Sequence, residues 1–405
     1  MMFYKETNFK ETPIGKIPED WEIIEIKKVC EFIRGTEPGS KAYNSEGTGF
    51  RFIRVSDISK QVLEGVFVEE KPEKLVFCNK GDILLALDGV PGVVAEGFEG
   101  AISSGIRIVK PKTKNIDKGF LFYILQHKIV QRIIKNYTTG TTIKHASRAI
   151  DFIKIPLPPL EEQKAIASIL STLDSAIQKI DEIIAKAERL KKGLMQELLT
   201  KGIGHKEFKD TEIGRIPKDW EVIRLGDVIT YQKGRKPAIL LSEKKENVLP
   251  YLTADDLRTE VFTQWAEEGS DVIKVNEDDL ILIWDGFYCG DAFVGFKGIL
   301  SSTMVKIEPK DPGISKHFLY YFLKTRFKIL NSQIAGMYLK HVSKFVFESL
   351  KVPLPSYSEQ QKIAEILSTV DQKLKLERNE KAKLEGIKKG LMDLLLTGKI
   401  RIKVN

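Results

Sequence analysis

The sequence "EQKAIASILSTLDSAIQKIDEIIAKAERLKKGLMQELL" occupies residues 162–199 and indicates the architecture of the chain. Its apolar residues recur at alternating steps of four and three positions, which is the spacing of a coiled-coil seam, while Lys and Glu fill the other faces. The seam positions are Ile166, Leu170, Leu173, Ile177, Ile180, Ile184 and Ala187. The segment predicts one continuous helix of about 57 Å with a single apolar stripe. Such a helix needs a partner, because a lone amphipathic helix is only marginally stable in water.

A second copy of this pattern lies at residues 359–396. Each copy follows a proline-rich segment, "PLPPL" at 156–160 or "PLPSY" at 353–357. Because proline is excluded from a helix interior, we expect each helix to begin after these prolines. Each copy ends near a glycine, Gly202 or Gly398, which is the usual stop residue. We predict that the two helices form an antiparallel coiled coil, which would place two globular units at opposite ends with a rough two-fold axis. A parallel pairing would place both units at the same end.

The repetition extends over the whole chain. "IGKIPEDWE" at 14–22 returns as "IGRIPKDWE" at 213–221, and "ILSTLD" at 169–174 returns as "ILSTVD" at 366–371. Between these alike ends, the middles of the two copies share little beyond one glycine and one aspartate each. These residues are Gly35 and Gly234, and Asp57 and Asp256. We interpret the chain as one ancestral unit present twice, whose ends do the same job while its middles do different jobs.

Each globular unit has the pattern of an α+β domain, because β-rich runs come first and helices follow. The predicted strands include "RFIRVSDI" at 51–58 and "MVKIEP" at 304–309, and the predicted late helices span 118–136 and 315–334. We expect two tandem α/β domains separated by the two long helices. The expected boundaries are 1–157 for the first domain, 158–203 for the first helical spacer, 204–354 for the second domain and 355–405 for the second spacer.

The composition excludes several classes of protein. A chain of 405 residues, 42% hydrophobic and 30% charged, has room for more than one domain with its own core. We expect no membrane span and no secretion, and a cytoplasmic location, because long apolar runs and an apolar N-terminal signal are missing. The three scattered cysteines have no metal-ligand spacing. The net charge of +8 permits a polyanionic partner without requiring one.

The sequence contains none of the common catalytic motifs. A phosphate-binding glycine loop, an HExxH zinc motif and the Asn-Pro-Pro loop of adenine methyltransferases are all missing. Asp88 and Asp285 recur in an Asp-Gly pair after an apolar strand, where a strand-ending turn explains them better than a catalytic acid does. We therefore predict a non-catalytic protein without a metal site.

Basic and polar residues near glycines form candidate nucleic-acid contacts in both copies. The loops "YTTGTTIKH" at 137–145 and "IAGMYLKH" at 334–341 precede the proline-rich segments, and the middles carry further basic loops. Glycine lets the backbone approach a ligand closely, while Lys, Arg, Thr, Tyr and His bond phosphates or base edges. The first-copy candidates are Arg34, Lys41, Arg51, Arg54, Thr141, Thr142, Lys144 and His145. The second-copy candidates are Lys233, Arg235, Lys236, Lys244, Lys245, Tyr338, Lys340 and His341.

The order of these motifs resembles the specificity subunits of type I restriction-modification systems, over the whole chain. The resemblance rests on the "IPEDWE" opening, the "GTTIKH" loop, the "PLPPLEEQKAIASIL" helix start and the "KKGLMQELLT" helix end. It implies that each globular domain is a target recognition domain, which reads one half of a split sequence in double-stranded DNA. The second copy departs from the pattern, because Gly336, Met337 and Tyr338 stand where the first copy has Gly-Thr-Thr.

The resemblance also implies partners and cofactors. Two modification subunits, which use S-adenosylmethionine, and restriction subunits, which use ATP and Mg²⁺, would dock on this chain, and the chain itself would hold no cofactor. The candidate docking residues are helix positions outside the seam that agree between the copies: Gln163, Lys191, Lys192, Gln360, Lys388 and Lys389. The alternative function is a non-catalytic coiled-coil adaptor with two protein-binding heads. A third alternative is an enzyme whose active site has diverged beyond recognition.

Overall fold

A computed structural model describes residues 2–269, 271–332, 334–335 and 340–403 of the chain. The chain divides into two compact units, which we call unit 1 (residues 1–181 and 379–405) and unit 2 (residues 182–378). Each unit therefore contains part of both long helices. None of the described helices combines the length and the apolarity that a bilayer span requires.

The α-helices of the described residues are, in chain order, α1 (Ile26–Val29), α2 (Val55–Lys60), α3 (Lys118–Gln126), α4 (Lys128–Asn136), α5 (Leu160–Lys201), α6 (Leu225–Val228), α7 (Ala254–Thr259), α8 (Lys316–Ser332), α9 (Lys344–Ser349) and α10 (Tyr357–Leu395). Short 3-10 helices lie at Ser40–Ala42, Pro72–Lys74 and Ser147–Asp151.

Unit 1 contains two main sheets. The first is antiparallel throughout, in the order Val94–Ala95, Ile83–Ala86, Ile106–Pro111 and Cys30–Arg34. The second has the order Tyr43–Asn44, Phe67–Val68, Phe50–Ile53, Gly100–Ile102 and Phe77–Cys78, with one parallel pair between Phe50–Ile53 and Gly100–Ile102. Two-stranded pairs join Met2–Lys5 to Ile400–Lys403, Phe9–Lys10 to Ile17–Pro18, Glu22–Glu25 to Lys154–Leu157, and Asp88–Gly89 to Lys144–His145.

Unit 2 repeats this plan. Its antiparallel sheet has the order Ile229–Lys233, Met304–Pro309, Leu280–Ile283 and Ala292–Phe293. Its second sheet has the order Trp265–Glu267, Val248–Leu252, Gly298–Leu300 and Lys274–Val275, again with one parallel pair, between Val248–Leu252 and Gly298–Leu300. Two-stranded pairs join Phe208–Thr211 to Gly214–Pro217, Glu221–Arg224 to Lys351–Leu354, and Ile334–Ala335 to His341–Val342. The mixed α+β class is therefore confirmed in both copies.

The two long helices form where the heptad pattern predicts them. Helices α5 and α10 begin and end within two residues of the predicted limits, at Leu160–Lys201 and Tyr357–Leu395. Every predicted seam position of α5 is buried or half-buried. Gly202 and Gly398, just after the helix ends, adopt φ of +67° and +70°, a left-handed conformation that suits glycine.

Within each unit the paired segments of α5 and α10 run antiparallel, as predicted. In unit 1, Asp174 pairs with Lys388 at 2.5 Å and Asp181 pairs with Lys381 at 2.6 Å, so positions rise along one helix as they fall along the other. In unit 2 the same holds for Glu188 with Arg378 at 2.6 Å and Lys191 with Asp371 at 2.5 Å. Ion pairs flanking an apolar seam fix the direction and register of such a pairing.

The repeated tryptophan of the "DWE" motif ties the globular part of unit 1 to both helices. Trp21 is fully buried, and its indole nitrogen donates to a carboxylate oxygen of Glu162, near the start of α5, over 3.2 Å. A Cβ on Gly398, past the end of α10, would lie 3.1 Å from the Trp21 ring and 2.3 Å from Pro18. Trp21 is therefore a core residue, and the glycine is required for close packing as well as for its φ.

Unit 2 contains the same arrangement with a histidine in place of the arginine. Trp220, 1% exposed, donates to Glu359 over 3.0 Å, and a Cβ on Gly202 would lie 2.6 Å from the Trp220 ring. His205 lies beside Glu359, with 2.9 Å between its Nε2 and the carboxylate. In unit 1 the corresponding partner of Glu162 is Arg401, on the strand Ile400–Lys403, whose guanidinium donates to it over 2.8 Å.

Two predicted elements differ from the structure. The run 51–58 is a strand only to Ile53, because Asp57 accepts a hydrogen bond from the Arg54 amide over 2.7 Å and starts helix α2. Asp256 does the same at Thr253 in unit 2, which explains why this aspartate recurs between the copies. The predicted helix 118–136 is interrupted at His127, whose extended backbone separates α3 from α4.

Candidate nucleic-acid interface

The repeated Asp-Gly turn and the repeated Lys-His pair meet in unit 1. Asp88–Gly89 pairs antiparallel with Lys144–His145, and 2.8 Å separates the His145 Nδ1 from the Asp88 carboxylate. The guanidinium of Arg107 lies 3.7 Å from the same carboxylate. Burial lowers the pKa of Arg107, and the negative charge of Asp88 opposes that shift. The two motifs, separate in sequence, thus form one cluster of charged and polar groups.

Unit 2 brings the equivalent residues together. Asp285 forms a β-bridge with His341, and its carboxylate lies 2.8 Å from the Lys233 ammonium. The Gly286 amide donates to the Lys340 carbonyl over 2.7 Å, which joins the turn to the Lys-His segment a second time. Both aspartates follow an apolar strand, as predicted, but Asp88 lies in a second short strand and Asp285 in a β-bridge, and the turn itself follows at 90–92 and 286–290. In each unit the pairing partner is the Lys-His segment.

A glycine at a strand end shapes the edge of each cluster. A Cβ on Gly35 would lie 2.1 Å from the Ser103 carbonyl oxygen, and a Cβ on Gly234 would lie 2.2 Å from the Ser301 carbonyl oxygen. Any larger residue would push the strand end away from the neighbouring turn of two serines, Ser103 and Ser104 or Ser301 and Ser302, which we call the Ser-Ser turn. The close approach sets the basic residue that precedes each glycine, Arg34 or Lys233, beside that turn.

In unit 2 these elements enclose an open cleft of about 950 Å³. Its walls come from the strand end, the Asp-Gly turn, the Ser-Ser turn and the Lys-His segment. The lining residues are Gln232, Lys233, Gly234, Arg235, Ile273, Asp285, Ser302, Thr303 and His341. Backbone amides, hydroxyls and cations at one edge of a sheet are the groups that proteins use toward phosphates and base edges.

Only some of the candidate DNA-contacting residues of unit 1 lie at or beside the cluster around Asp88 and His145. Arg34 lies there, and its Nε donates to the Ser104 carbonyl over 3.2 Å. Thr141, Thr142 and Lys144 are exposed on the adjoining loop.

The other unit 1 candidates belong to the second sheet and its loops. Arg54 pairs with Glu64 at 2.6 Å, and Arg51 lies 5.0 Å from the ring centre of Phe67. Lys41 is exposed on a 3-10 helix.

In unit 2, Lys233, Arg235 and His341 line the cleft. Lys340 adjoins it, with its ammonium 5.0 Å from the ring centre of Phe287. Three further candidates, Lys236, Lys244 and Lys245, are exposed on the segment 234–247. Tyr338 lies outside the described residues. A DNA contact stays a prediction for each of these residues.

The candidate docking residues fall into two groups. The side chains of Gln163 and Gln360 are buried and hydrogen-bond the backbone near each helix start, so in this structure they are not open to a partner. The Gln163 side chain, for instance, accepts from the Asp117 amide and donates to the Asn115 carbonyl. Lys191 and Lys388 pair with aspartates of the opposite helix. Each also lies over a tyrosine, Tyr321 or Tyr123, at 5.8 and 5.6 Å.

Lys192 and Lys389 are exposed and remain the docking candidates of the helices. Lys389 lines a cleft of about 890 Å³ in unit 1, between α10 and the junction of α3 and α4. Lys192 lines a cleft of about 560 Å³ in unit 2, between α5 and α8. The two clefts lie at equivalent positions of the two sequence copies. This is the arrangement expected if the same kind of partner docks once on each unit.

Sequence reasoning did not identify the Ser-Ser turn as part of the site. Ser103 and Ser104 recur as Ser301 and Ser302, each pair just before a long strand, and this repetition was the available signal. Among the described residues, no three His, Cys, Asp or Glu side chains lie close enough together to hold a metal ion.

Comparison with known proteins identifies relatives along the full chain. The family model described as "Type I restriction modification DNA specificity domain" matches residues 18–189 and 217–386. The chain is 34% identical over 423 residues to the type I restriction enzyme MjaVIII specificity subunit of Methanocaldococcus jannaschii, covering 100% of this chain and 98% of that protein. It is 33% identical over 432 residues to the putative type I restriction enzyme MjaX specificity subunit of the same organism, covering 100% and 99%.

The fold is similar to that of a solved structure. The crystal structure of the type I restriction-modification S subunit from M. genitalium superposes with a TM-score of 0.66 at 20% identity, covering 97% of this chain and 100% of that one.

Proposed function

This chain belongs to the family of type I restriction-modification DNA specificity subunits, and on that premise we propose that each of its units reads one half of a bipartite DNA sequence. It is the specificity subunit of such a system and not one of its catalytic subunits. The observation that carries the proposal is the cluster that occurs twice, built on Asp88 with His145 and on Asp285 with His341.

The division of residues within the cluster suits a division of labour in DNA binding. The shared residues, which are the Asp-Gly turn, the Lys-His pair and the strand-end glycine, would place both units on the phosphate backbone in the same way. The residues that differ between the units, such as those of the segments 37–50 and 236–247, would read different base edges. Because one chain contains two such units, the DNA sequence that it recognises would have two parts.

A salt titration tests whether unit 2 binds DNA through this cleft. We expect Arg235→Ala and Lys340→Ala each to weaken binding to the recognised duplex and to an unrelated duplex alike. Each substitution should lower the slope of log affinity against log salt by about one, because a phosphate contact releases a counterion. Fluorescence anisotropy with labelled duplexes, at several salt concentrations, measures both quantities.

The control for this titration is Lys297→Ala, an exposed lysine of unit 2 that does not line the cleft. It should leave the salt slope unchanged. Binding that ignores salt in the natural chain, or no binding to DNA at all, would favour the adaptor function instead.

We further propose that two modification subunits and the restriction subunits assemble on this chain in the cytoplasm, where their DNA lies. The cofactors would belong to those partners: S-adenosylmethionine to the modification subunits, ATP and Mg²⁺ to the restriction subunits. Support for two equal docking sites comes from the matching clefts that contain Lys389 in unit 1 and Lys192 in unit 2. Closed complexes use one surface repeatedly when its copies are related by symmetry.

Charge reversal tests these docking sites. We expect Lys192→Glu with Lys389→Glu to weaken capture of the modification subunit, because both residues are exposed in the matching clefts. Light scattering of the mixed subunits measures the stoichiometry. The control is Lys179→Glu with Lys383→Glu, which makes the same charge change at exposed positions of the same helices outside those clefts. A two-to-one complex formed equally well by both double variants would exclude Lys192 and Lys389 from the docking surface.

A further inference from the structure

The residue after the repeated Asp-Gly pair is a large, exposed apolar side chain in both units. Phe287 is 70% exposed and Val90 is 51% exposed. Single exposed apolar residues are ordinary on protein surfaces. Here, however, the same exposed position recurs in two copies whose turn sequences otherwise differ, "DGVPGV" at 88–93 and "DGFYCG" at 285–290.

The turn that carries Phe287 is held firmly by its backbone. The side-chain amide of Asn331, on α8, donates to the Phe287 carbonyl over 3.0 Å and to the Cys289 carbonyl over 3.1 Å. Gly290 adopts φ of +90°, and a Cβ there would lie 2.6 Å from Leu330, so the turn closes tightly on the helix. The phenylalanine ring is therefore presented on a fixed base.

Unit 1 holds its turn in a comparable way with other residues. The side-chain amide of Gln131, on α4, donates to the Gly92 carbonyl over 2.8 Å. The Val90 amide donates to the Asp88 carbonyl over 3.0 Å within the turn. Both units thus use a helix side-chain amide to fix the turn, while they place side chains of different size and shape at its tip.

Three basic side chains and one carboxylate, Asp285, which pairs with Lys233, lie near Phe287, and this balance indicates the kind of partner that covers it. The Lys340 ammonium lies 5.0 Å from the centre of the ring, and Lys233 and Arg235 line the adjoining cleft. Lysine is depleted in the cores of protein–protein interfaces, whereas DNA interfaces are polar and strongly positive. An apolar side chain among such cations matches the wedges that proteins insert between base steps.

We propose that Phe287 packs against the bases of the half-site read by unit 2, at a step that it unstacks, and that Val90 makes a smaller apolar contact at the same place in the other half-site. The inference rests on the proposed function and adds one position, Val90 or Phe287, at which the two units carry side chains of different shape. A phenylalanine ring offers a flat face to a base. Valine has no such face and suits a thymine methyl group. Unit 2 therefore distorts its half-site, and unit 1 leaves its half-site stacked.

The test uses the full chain in complex with its modification subunits and the duplex that carries the sequence methylated in cells. The fluorescent base analogue 2-aminopurine replaces, one at a time, adenines of each half other than the methylated ones, because its emission rises when a base is unstacked. We expect a rise at one step of the unit 2 half and none in the unit 1 half. Phe287→Ala should abolish the rise and weaken binding about tenfold, as loss of one base–aromatic stack does.

A matched control is Phe345→Ala, which removes a similarly exposed phenylalanine of unit 2 that lies on α9 and does not line the cleft. It should change neither the emission nor the affinity. Phe287→Tyr, which keeps the aromatic face, should retain the rise, and melting curves of all variants should coincide because both side chains are exposed.

The outcomes separate this inference from the proposed function. If the natural complex binds the duplex and Phe287→Ala matches it in emission and affinity, the inference is wrong while the proposed function stands. Equal losses in Phe287→Ala and Phe345→Ala would also overturn it. If Phe287→Ala instead lowers capture of the modification subunit, the ring contacts protein and the inference is wrong. A natural complex that fails to bind the duplex overturns the proposed function itself.

Discussion

Exchange of residues 24–150 for the corresponding segment of a relative with another target is expected to replace one half of the recognised sequence and leave the other half intact. The physical reason is the way the segment is anchored. Its ends lie side by side, because Glu22–Glu25 pairs with Lys154–Leu157 and places Ile24 opposite Ile155. The exchanged part therefore leaves and re-enters the rest of unit 1 at one small sheet. Sequencing of modified adenines in cells that carry the exchanged chain measures the outcome.

The reciprocal exchange serves as the control. Residues 223–346 are bounded in unit 2 by the equivalent pair, Glu221–Arg224 with Lys351–Leu354, and their exchange should alter the opposite half only. New bases in both halves after a single exchange would mean that the units read DNA jointly and that the anchoring sheets do not isolate them.

Arg401→Met is expected to release the two terminal strands, Met2–Lys5 and Ile400–Lys403, from the rest of unit 1. The Arg401 guanidinium donates to Glu162 over 2.8 Å, to Asp20 over 2.7 Å and to Glu6 over 2.9 Å. The side chains of Arg401 and Glu162 are 8% and 6% exposed, so methionine would leave a buried carboxylate without its cation. Breaking a buried pair in this way costs roughly 3–5 kcal/mol. Hydrogen exchange at Met2–Lys5 and Ile400–Lys403 should then be faster by about two to four orders of magnitude.

The control for Arg401→Met is Lys399→Met, which removes an exposed lysine whose ion pair with Asp393 spans 3.5 Å. Exposed pairs contribute at most about 1 kcal/mol, so its exchange rates should change less than tenfold. Amides beside Trp220 in unit 2 should be unaffected by either substitution, because Glu359 has its own partner in His205. A change in Arg401→Met no larger than that of the control would contradict the structural role of the network.

The same network predicts how the chain ends respond to acid. Hydrogen bonding to Arg401 holds the pKa of Asp20 below its usual value, and backbone amides with Arg401 do the same for Glu6. Burial alone would lower the pKa of Arg401, but the carboxylates of Glu162 and Asp20 outweigh it and raise it. A carboxyl with a lowered pKa stabilises the folded state above its unfolded pKa and ceases to do so as pH falls through the folded value. Protection of Met2–Lys5 should therefore fall only below the usual carboxyl range.

Much of the architecture could be predicted because it depends on local periodicity and on repetition. The heptad spacing located α5 and α10 within two residues, and the repeat of the "DWE" stretch indicated that both units share one plan, in which Trp21 and Trp220 are buried alike. The role of the aspartates shared by the diverged middles could not be predicted from the sequence. Asp57 and Asp256 start short helices, and such caps compete with a strand pattern that the surrounding apolar residues favour.

Other features could not be predicted because they depend on contacts between distant residues. Arg401 and Glu162 are brought together only when the terminal strand pairs with the first one. Agreement of Lys191 with Lys388 predicted a docking surface, yet an intramolecular ion pair produces the same agreement, and both residues make one. The sequence indicated individual candidate residues of the site. Only the fold shows that the Asp-Gly turn pairs with the Lys-His segment.

If this chain selects a bipartite DNA sequence for modification, the modified adenines of a genome should depend on its gene. We would compare these adenines between cells with the gene intact and cells with the gene deleted. We expect one split motif, two short specific parts around a spacer of fixed length, that is methylated with the gene and unmethylated without it. An identical set of modified adenines in both cells, or loss of a continuous motif instead of a split one, would show that the chain does not select a bipartite sequence.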